Sequence, residues 1–557
     1  MSASSRAAGP TGQLRVADIV AGTIAAHGVR LAFGMPGGEI VTFVDALRSV
    51  GIRFVLCRHE TSAAYMAGGA STVTGDPGLL VTTLGPGLAN AVNGIADAAQ
   101  ERIPLIVMSG VVDGDVRGRY THQIFDQQAL LRSLVKGSFE IGAEGAGAVT
   151  ARAIRLAMTP PMGPVHIDFP PAIAARTAVA TDRVWPATRA FQAAPASDDA
   201  ALAAIAEKLG AAERPLIVAG FEAARTPGAT AVVTALAERL AAPVITTYKA
   251  KGTIDETHAL SLGGAGLSPR ADAALLPLVR AADAVLLAGY DPIEMRTGWL
   301  DPFDSDALVV DMTAAPVDHA MHRTDVQIVG PLTPTLLALG DALRTLTSHA
   351  PPRQVWPDGA PREARSALER LFAPPSDWGP HAVFATIEDL LPAGAVLTAD
   401  SGAHRILLSQ QMKIRRPLGL LQSNGLSTMA CAIPLAAGVK AVSPATPVVA
   451  ILGDGGLEMG LGELATLRDE GLPIVVVCLQ DESLALIELK QAKMGLTRAG
   501  VRLGATDFPA IARAMGGYGA RISSRAELEV EFNAAFKRTT FSLLVPQIEA
   551  SAYVDRI

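Results

Sequence analysis

Short runs of consecutive apolar residues recur along this chain, each separated from the next by a stretch of helical periodicity. The clearest cycle lies in the last third. Residues 448–452 are apolar throughout, as a strand buried on both faces of a parallel sheet requires. Leu457, Leu461, Leu464 and Leu467 then fall on one helical face and predict a helix over 457–470. Residues 474–479 form a second apolar run of strand length. Gly453-Asp454-Gly455-Gly456 separates the first strand from the helix and predicts a tight turn, since glycine permits it and lets backbone approach a ligand. Gln480-Asp481-Glu482-Ser483 follows the second strand as a polar turn.

The same alternation opens the chain. A helix is predicted over 16–27, with strands over 31–33, 54–56, 78–83, 105–109 and 165–169. Between them lie Gly34-Met35-Pro36-Gly37-Gly38, then Cys57-Arg58-His59-Glu60 leading a small-residue helix, then Leu84-Gly85-Pro86-Gly87. A middle unit carries strands over 216–219, 244–246, 285–288 and 308–310, and Gly263-Gly264-Ala265-Gly266 reads as a flexible turn. A Pro- and Arg-rich connection over 348–375 holds one helix, 362–372, and a further strand follows over 395–398. Repeated strand–helix cycles imply parallel sheets. The expected fold class is therefore α/β, with three doubly wound parallel-sheet domains. Their bounds are 14–186, 200–346 and 378–557, with a disordered lead-in over 1–13 and a linker over 347–377.

Bulk properties narrow the partners. At 557 residues the chain is too long for one core. Its net charge of -7 is mild and dispersed, with no basic cluster for nucleic acid. No apolar run is long enough to cross a bilayer, and the N-terminus lacks the apolar core of a signal peptide. Cys57, Cys431 and Cys478 lie in apolar surroundings without CxxC or zinc spacing, which reads as small core residues in a reducing compartment. A cytoplasmic protein is expected.

In a parallel sheet both polar turns of the last third lie at strand carboxyl ends, where open α/β sheets bind ligands. Asp454 and Asp481 would then face each other across a small gap. Two hard oxygen donors with room for water and phosphate oxygens suit Mg²⁺. Taken whole, the stretch resembles the diphosphate-binding motif of thiamine diphosphate (ThDP) enzymes, a GDG followed by an Asn pair, here Gln480-Asp481. The resemblance implies that Gly453, Asp454, Gly455 and Gly456 bind the diphosphate. It makes Asp454, Asp481 and the Ser483 carbonyl the metal ligands.

Further motifs fit the same family. GMPGG with Gly37, RHE with Glu60, and the TxGPG-type turn occur in the order and spacing of its pyrimidine-binding domain. The resemblance gives Glu60 the catalytic role. In the family this Glu binds N1′ of the aminopyrimidine and favours the imino tautomer, whose 4′-nitrogen removes the thiazolium C2 proton. Asp400-Ser401-Gly402-Ala403-His404 is similar to a GQH turn at the diphosphate, matching at Gly402 and His404. Ser423 to Met429 resembles SGGLGTM, which makes Met429 the wedge under the cofactor. The Ser427 carbonyl would accept a hydrogen bond from the 4′-amino group. Ser427 stands where the family has Gly, and a negative φ is expected there.

The resemblance is closest to the acetolactate synthase and pyruvate oxidase group. Gln123 matches a Gln that reaches the active site in the carboligases, and His122 replaces the Phe before it. His122 reads either as a proton relay or carboxylate binder, or as a surface loop histidine. Ile487 takes a pocket position where pyruvate decarboxylases have a Glu; an apolar residue leaves the carbanion unprotonated and free to attack a second carbonyl. Glu488 lies about 100° round the helix and should point elsewhere. The expected activity is ThDP- and Mg²⁺-dependent decarboxylation of a 2-oxo acid with transfer of the acyl carbanion to a carbonyl acceptor. The alternatives are a 2-oxo acid decarboxylase or aldehyde lyase using His122, and a non-catalytic homologue with an assembly role. The family implies a homodimer at least, and commonly a homotetramer. FAD, which the middle domain of acetolactate synthases binds, is not favoured, because Gly289-Tyr290-Asp291 lacks the Arg that lies by the flavin there.

Overall fold

The apolar runs become strands because helices cover the sheets, so the side chains of the central strands are buried, while edge strands such as Arg53–Leu56 and Val326–Val329 keep exposed positions. The structure, a computed structural model, describes residues 13–187, 199–347 and 354–557. Residues 1–12 of the expected lead-in, most of the connection before residue 199, and 348–353 of the expected linker lie outside the described residues.

The first sheet contains β1 (Leu31–Met35), β2 (Arg53–Leu56), β3 (Gly78–Thr82), β4 (Leu105–Gly110), β5 (Ser138–Glu140) and β6 (Val165–Phe169). Its order is β2-β1-β3-β4-β6-β5. The middle sheet contains β7 (Pro215–Ala219), β8 (Val244–Thr247), β9 (Ser261–Ala265), β10 (Ala284–Ala288), β11 (Leu308–Thr313) and β12 (Val326–Val329), in the order β12-β11-β10-β7-β8-β9. The third contains β13 (Val396–Ala399), β14 (Leu420–Gln422), β15 (Val448–Gly453), β16 (Val475–Leu479), β17 (Tyr518–Ile522) and β18 (Ser542–Pro546), in the order β14-β13-β15-β16-β18-β17. All three are parallel throughout. The fold is thus the expected doubly wound α/β class. The first and third sheets share one topology. The middle sheet instead has the strand order of dinucleotide-binding folds.

Several elements differ from expectation. Asp454-Gly455-Gly456 is the first turn of a helix, Asp454–Gly460, rather than a turn before one. The single helix expected over 457–470 is two, the second being Glu463–Asp469. The break lies at Gly462, whose backbone abuts Arg58: a Cβ there would stand 3.2 Å from the Arg58 Cβ. Gly263-Gly264-Ala265 is not a flexible turn but part of β9. It carries a register shift against β8, and Gly263 has φ +77°, a bulge that glycine makes cheap. Strands β5, β9, β12, β14, β17 and β18 were not anticipated; β5 and β14 are only three residues long. The segment after residue 353 carries a helix, Ala360–Leu371, close to the one expected over 362–372. Trp356 is buried in the middle domain, with its indole N–H on the Pro215 carbonyl at 2.9 Å.

The first and third domains share one hydrophobic core. Its centre is the contact between the helices Glu60–Thr74 and Ala432–Val442, lined by Ala63, Ala67, Ala70, Ala432, Ala436 and Ala437. Small side chains let the backbones touch. A Cβ at Gly438 would lie 2.0 Å from the Met66 carbonyl oxygen, and one at Gly69 would lie 2.5 Å from that of Leu435. Salt bridges of Arg58 with Asp469 and of Arg53 with Glu470 border the seam. Among the described residues no helix is long and apolar enough to cross a membrane.

Gly438→Ala tests the seam. Alanine is favoured by about 1 kcal/mol in a helix interior, but here it meets a backbone atom that cannot move alone, and overpacking costs roughly 1–3 kcal/mol. The clash should win. Thermal melting is expected to fall for Gly438→Ala and to hold for Gly114→Ala, whose Cβ meets nothing within 4 Å. Equal melting of the two variants would refute the close contact.

Candidate active site

Glu60 follows β2 and opens the Ala-rich helix Glu60–Thr74, where a carboxylate meets the positive end of the helix dipole. The helix is capped by His59, whose Nδ1 accepts the Thr61 N–H at 3.1 Å, and ends at Gly75 with φ +77°. Glu60 is buried. Its Oε2 accepts the Asn90 amide at 3.2 Å, and a Cβ at Gly87 would lie 3.3 Å from its Oε1. Glycine at 87 therefore lets the backbone approach this carboxylate closely, where a Cβ would also lie 2.7 Å from Thr83 Cγ2.

The other motifs of the first domain gather at the same strand ends. A Cβ at Gly37 would lie 2.2 Å from Thr83 Oγ1, which donates to Glu39 Oε2 at 2.8 Å. Gly85, at φ +58°, faces the Gln123 carbonyl so closely that a Cβ would stand 2.5 Å away. Gln123 itself has φ +58° and an exposed side chain. His122 is exposed too, its ring edge-on to Tyr120 at 6.2 Å. The loop is held from below by Gln127, which sequence reasoning passed over. Gln127 Oε1 accepts the Gly85 N–H at 2.9 Å, and its amide donates to Asp168 at 2.7 Å and to the Gly110 carbonyl at 3.1 Å.

The third domain assembles its part around Asp400, a second residue the sequence reading did not single out. Asp400 ends β13 and is fully buried. Its Oδ1 lies 2.9 Å from His404 Nε2, and its Oδ2 accepts the Ala430 N–H at 2.8 Å. Gly456 passes over it so closely that a Cβ would lie 2.0 Å from Oδ2. One carboxylate thus ties the turn at 400–404, the loop before residue 431 and the helix Asp454–Gly460. Gly402 is obligatory beside the His404 ring, since a Cβ would lie 2.5 Å from Cε1. Gly453 borders the same ring.

Asp454 and Asp481 meet, but not simply across a gap. Asp454 Oδ1 accepts the Gly455 N–H at 2.8 Å, and Oδ2 accepts those of Asp481 at 3.1 Å and Glu482 at 2.6 Å. The second turn wraps the first carboxylate. Asp481 Oδ1 accepts the Ser483 N–H at 3.0 Å. Burial, and then the Asp454 charge, push Asp481 up to about 8. Among the described residues no three His, Cys, Asp or Glu side chains group as metal ligands. A buried carboxylate at Asp454 and a half-buried one at Asp481 form a pair of hard oxygen donors, and that fits a divalent cation. The Met429 Sδ-methyl reaches this turn: a Cβ at Gly455 would lie 3.3 Å from Met429 Cε and 3.1 Å from Leu484 Cδ2. Ser427 departs from expectation. Its φ is +57°, the left-handed region in which Gly is free and Ser is strained. Arg405, buried beneath the loop, donates to Ser427 Oγ at 3.2 Å and to the Ser423 carbonyl, which helps hold the conformation. On the helix Ala485–Lys493, Ile487 is 43% exposed while Glu488 turns to the Ser483 hydroxyl and Arg498.

Three family models match the chain. They are the thiamine pyrophosphate enzyme N-terminal TPP binding domain over 14–130, central domain over 202–339 and C-terminal TPP binding domain over 400–545. The chain is 30% identical to the acetolactate synthase of Bacillus subtilis (strain 168) over 528 residues, 92% of this chain and 90% of the relative. The chain belongs to the acetolactate synthase family of ThDP-dependent enzymes. It is likewise 30% identical over 540 residues to acetolactate synthase isozyme 3 large subunit of Escherichia coli (strain K12), 95% of this chain and 93% of the relative. It is 31% identical over 541 residues to the acetolactate synthase large subunit of Parasynechococcus marenigrum (strain WH8102), 93% of this chain and 85% of the relative.

Within this family fold the residues of the first and third domains fit ThDP: a buried carboxylate at Glu60 closely approached by Gly87, and a glycine cradle at Asp454 beside Met429. The middle domain fits a flavin dinucleotide poorly. Its strand-end crevice, a cavity of about 390 Å³, lies where β7 and β10 part. The Thr313 hydroxyl and Ala314 N–H, donors a phosphate would use, are given to Glu222 at 2.8 and 2.9 Å. Asp291 is paired with Arg102 at 2.8 Å, and Arg225 donates to the Arg102 carbonyl at 2.8 Å.

Gly456→Ala probes the Asp400 junction. The expected result is a lower melting temperature, a loss of about 1–3 kcal/mol from forcing a methyl onto a buried carboxylate, outweighing the helix propensity gained. A variant as stable as its parent would show that the junction has room.

Proposed function

We propose that the protein is a Mg²⁺- and ThDP-dependent carboligase, which decarboxylates a 2-oxo acid and transfers the acyl carbanion to a carbonyl acceptor. ThDP, when bound, supplies the carbanion chemistry. Glu60 would bind the aminopyrimidine and share its proton, with Asn90 orienting the carboxylate. Asp454, Asp481 and the Ser483 carbonyl would hold Mg²⁺ against the diphosphate, with Gly402, His404, Gly453, Gly455 and Gly456 around it. Ser427 and Met429 would seat the ring system. Gln123 and His122 would stand at the entrance, on the loop packed against Gly85.

The observation that carries transfer over simple aldehyde release is at the pocket helix. Glu488, next in sequence to Ile487 on the pocket helix, is engaged by Ser483 and Arg498, and apolar Ile487 is presented instead. The names of the relatives support the same reading.

A homodimer, assembling commonly as a homotetramer, completes the site in this proposal. Among the described residues no hydrogen bond or ion pair joins Glu60 to the Asp454 turn within one chain, and Leu56, Met459 and Met494 expose apolar surface near the two half-sites. The buried unpaired Cys57, Cys431 and Cys478 favour a reducing, cytoplasmic setting. FAD is left out of the proposed cofactor set because Glu222 and Asp291 occupy the crevice.

Product analysis by NMR with pyruvate, ThDP and Mg²⁺ tests the reaction. Acetolactate or acetoin is expected, falling on the order of 10²-fold or more in Glu60→Gln, which loses the ionisable partner of the ring nitrogen. Acetaldehyde as the main product would replace the carboligase with a decarboxylase acting through His122. The metal half is tested by pH. Asp481 must lose a proton, held up to about 8, before it can ligate. The Mg²⁺ concentration for half-saturation in the presence of ThDP, read by the fluorescence of Trp378 beside Asp481, should fall as pH rises. The slope should approach ten-fold per unit below about pH 7 and flatten above about pH 9. Affinity independent of pH would remove Asp481 from the ligand set.

A further inference from the structure

The helix Pro86–Gln100 runs along the seam where all three domains meet. Asn93, Asp97 and the C-cap residue Glu101 follow one another at intervals of four and so share one face. Each reaches the third-domain loop over 423–428. Asn93 Oδ1 accepts the Thr428 hydroxyl at 3.1 Å. Asp97 accepts the Ser423 hydroxyl, whose oxygen accepts the Thr428 N–H at 3.0 Å. Glu101 Oε1 accepts two backbone N–H groups at once, Asn424 at 2.9 Å and Gly425 at 2.7 Å. The loop lies so close to the helix that a Cβ at Gly425 would stand 2.7 Å from the Gln100 Cβ.

The remaining valences of this junction are filled from the middle domain. Glu101 Oε2 pairs with Lys249 Nζ at 2.8 Å. The Lys249 N–H donates to Glu294 Oε1 at 3.0 Å, and the same oxygen accepts the Asn424 amide at 3.0 Å. Glu101, Lys249 and Glu294 are all buried, so the arrangement is sheltered from water and salt.

We propose that the Asn93–Asp97–Glu101 stripe positions the cofactor loop, with Glu101 as its anchor, so that a first-domain helix sets where Ser427 and Met429 stand. This rests on the ThDP reading of the loop given above. The loop needs outside support: Ser427 at φ +57° and Ala430 at φ +63° both sit in the left-handed region, which a free loop of these residues would leave. Without Glu101, the half-buried N–H groups of Asn424 and Gly425 lose this acceptor, and the loop relaxes to find others. The carboxylate type matters. One oxygen serves the loop and the other neutralises Lys249, which removal of the acid would leave as an unpaired buried cation.

A bland reading competes with this, in which Glu101 and Lys249 merely join domains. Two double variants separate them. Glu101→Gln with Lys249→Met and Glu101→Met with Lys249→Met both abolish the ion pair with side chains of similar length. Only the first keeps an oxygen for the Asn424 and Gly425 N–H groups. ThDP affinity by calorimetry, and the near-ultraviolet circular dichroism of the bound cofactor, are the readouts. The Gln variant should bind ThDP within about three-fold of the parent, and the Met variant at least ten-fold more weakly with an altered dichroism band. Equal affinity in the two overturns the proposal. If the Met variant does not fold, Asn93→Ala takes its place: a three-fold or greater loss of ThDP affinity supports the stripe, and unchanged affinity overturns it. A parent protein that binds no ThDP would sink the cofactor reading itself, and the inference with it, before any variant is compared.

Discussion

The rest of the structure depends on one close contact, the packing of the helix Glu60–Thr74 against Ala432–Val442. Each helix leads away from a loop that carries chemistry. Glu60 is the first residue of one, and the loop with Ser427 and Met429 runs directly into the other. Because Gly69 and Gly438 bring backbone against backbone, the separation of the two helices has almost no freedom. Larger side chains would have left several nearly equivalent packings. Atomic contact with peptide groups leaves one.

A second constraint is electrostatic. Parallel sheets gather the polar ends of their strands on one edge, and in the third domain three carboxylates, Asp400, Asp454 and Asp481, collect there. Asp400 is answered by His404 and the Ala430 N–H, Asp454 by three backbone N–H groups. Asp481 accepts the Ser483 N–H and is pressed upward by its burial first and by the Asp454 charge second, with Arg502 opposing. Asp481 is therefore the least compensated of the three, and the cation proposed above would supply the charge it lacks.

The legible parts of the sequence were those whose cause is local. The buried strands β3, β4, β7, β10 and β15 are apolar along most of their length, and the glycines at 37, 87, 402 and 453 announce close approach. What escaped had causes elsewhere in space. β5 and β14 are too short to show a period, and β9 hides behind two glycines that a bulge requires. Asp454-Gly455-Gly456 has the composition of a turn, yet coils into a helix because Asp454 captures the N–H groups around it. The left-handed Ser427 could not be read from its type, since Arg405 and the neighbouring loop impose it. Asp400 and Gln127 looked like ordinary polar residues at strand and helix ends. Only the folded chain shows how many backbone groups each one satisfies. The spacing of Asn93, Asp97 and Glu101 was present in the sequence, but a polar stripe on a helix normally faces water, and nothing local says that this one faces another domain.

The middle domain shows the limit of arguing from topology. Its sheet has the strand order associated with dinucleotides, and its crevice lies at the expected switch point between β7 and β10. Binding, however, is decided by what fills the first turn. Here Gly220 is followed by Phe221 and Glu222, not by a run of glycines. Glu222 takes the donors at Thr313 and Ala314, and Phe221 lies 3.8 Å from Lys249 Nζ, which it helps hold toward Glu101. The donors at the crevice are thus satisfied within the middle domain itself, while Lys249 reaches across to the first. In the reading proposed above, the same strand order serves to brace the first-domain helix beside the cofactor loop, through a handful of side chains at one crevice.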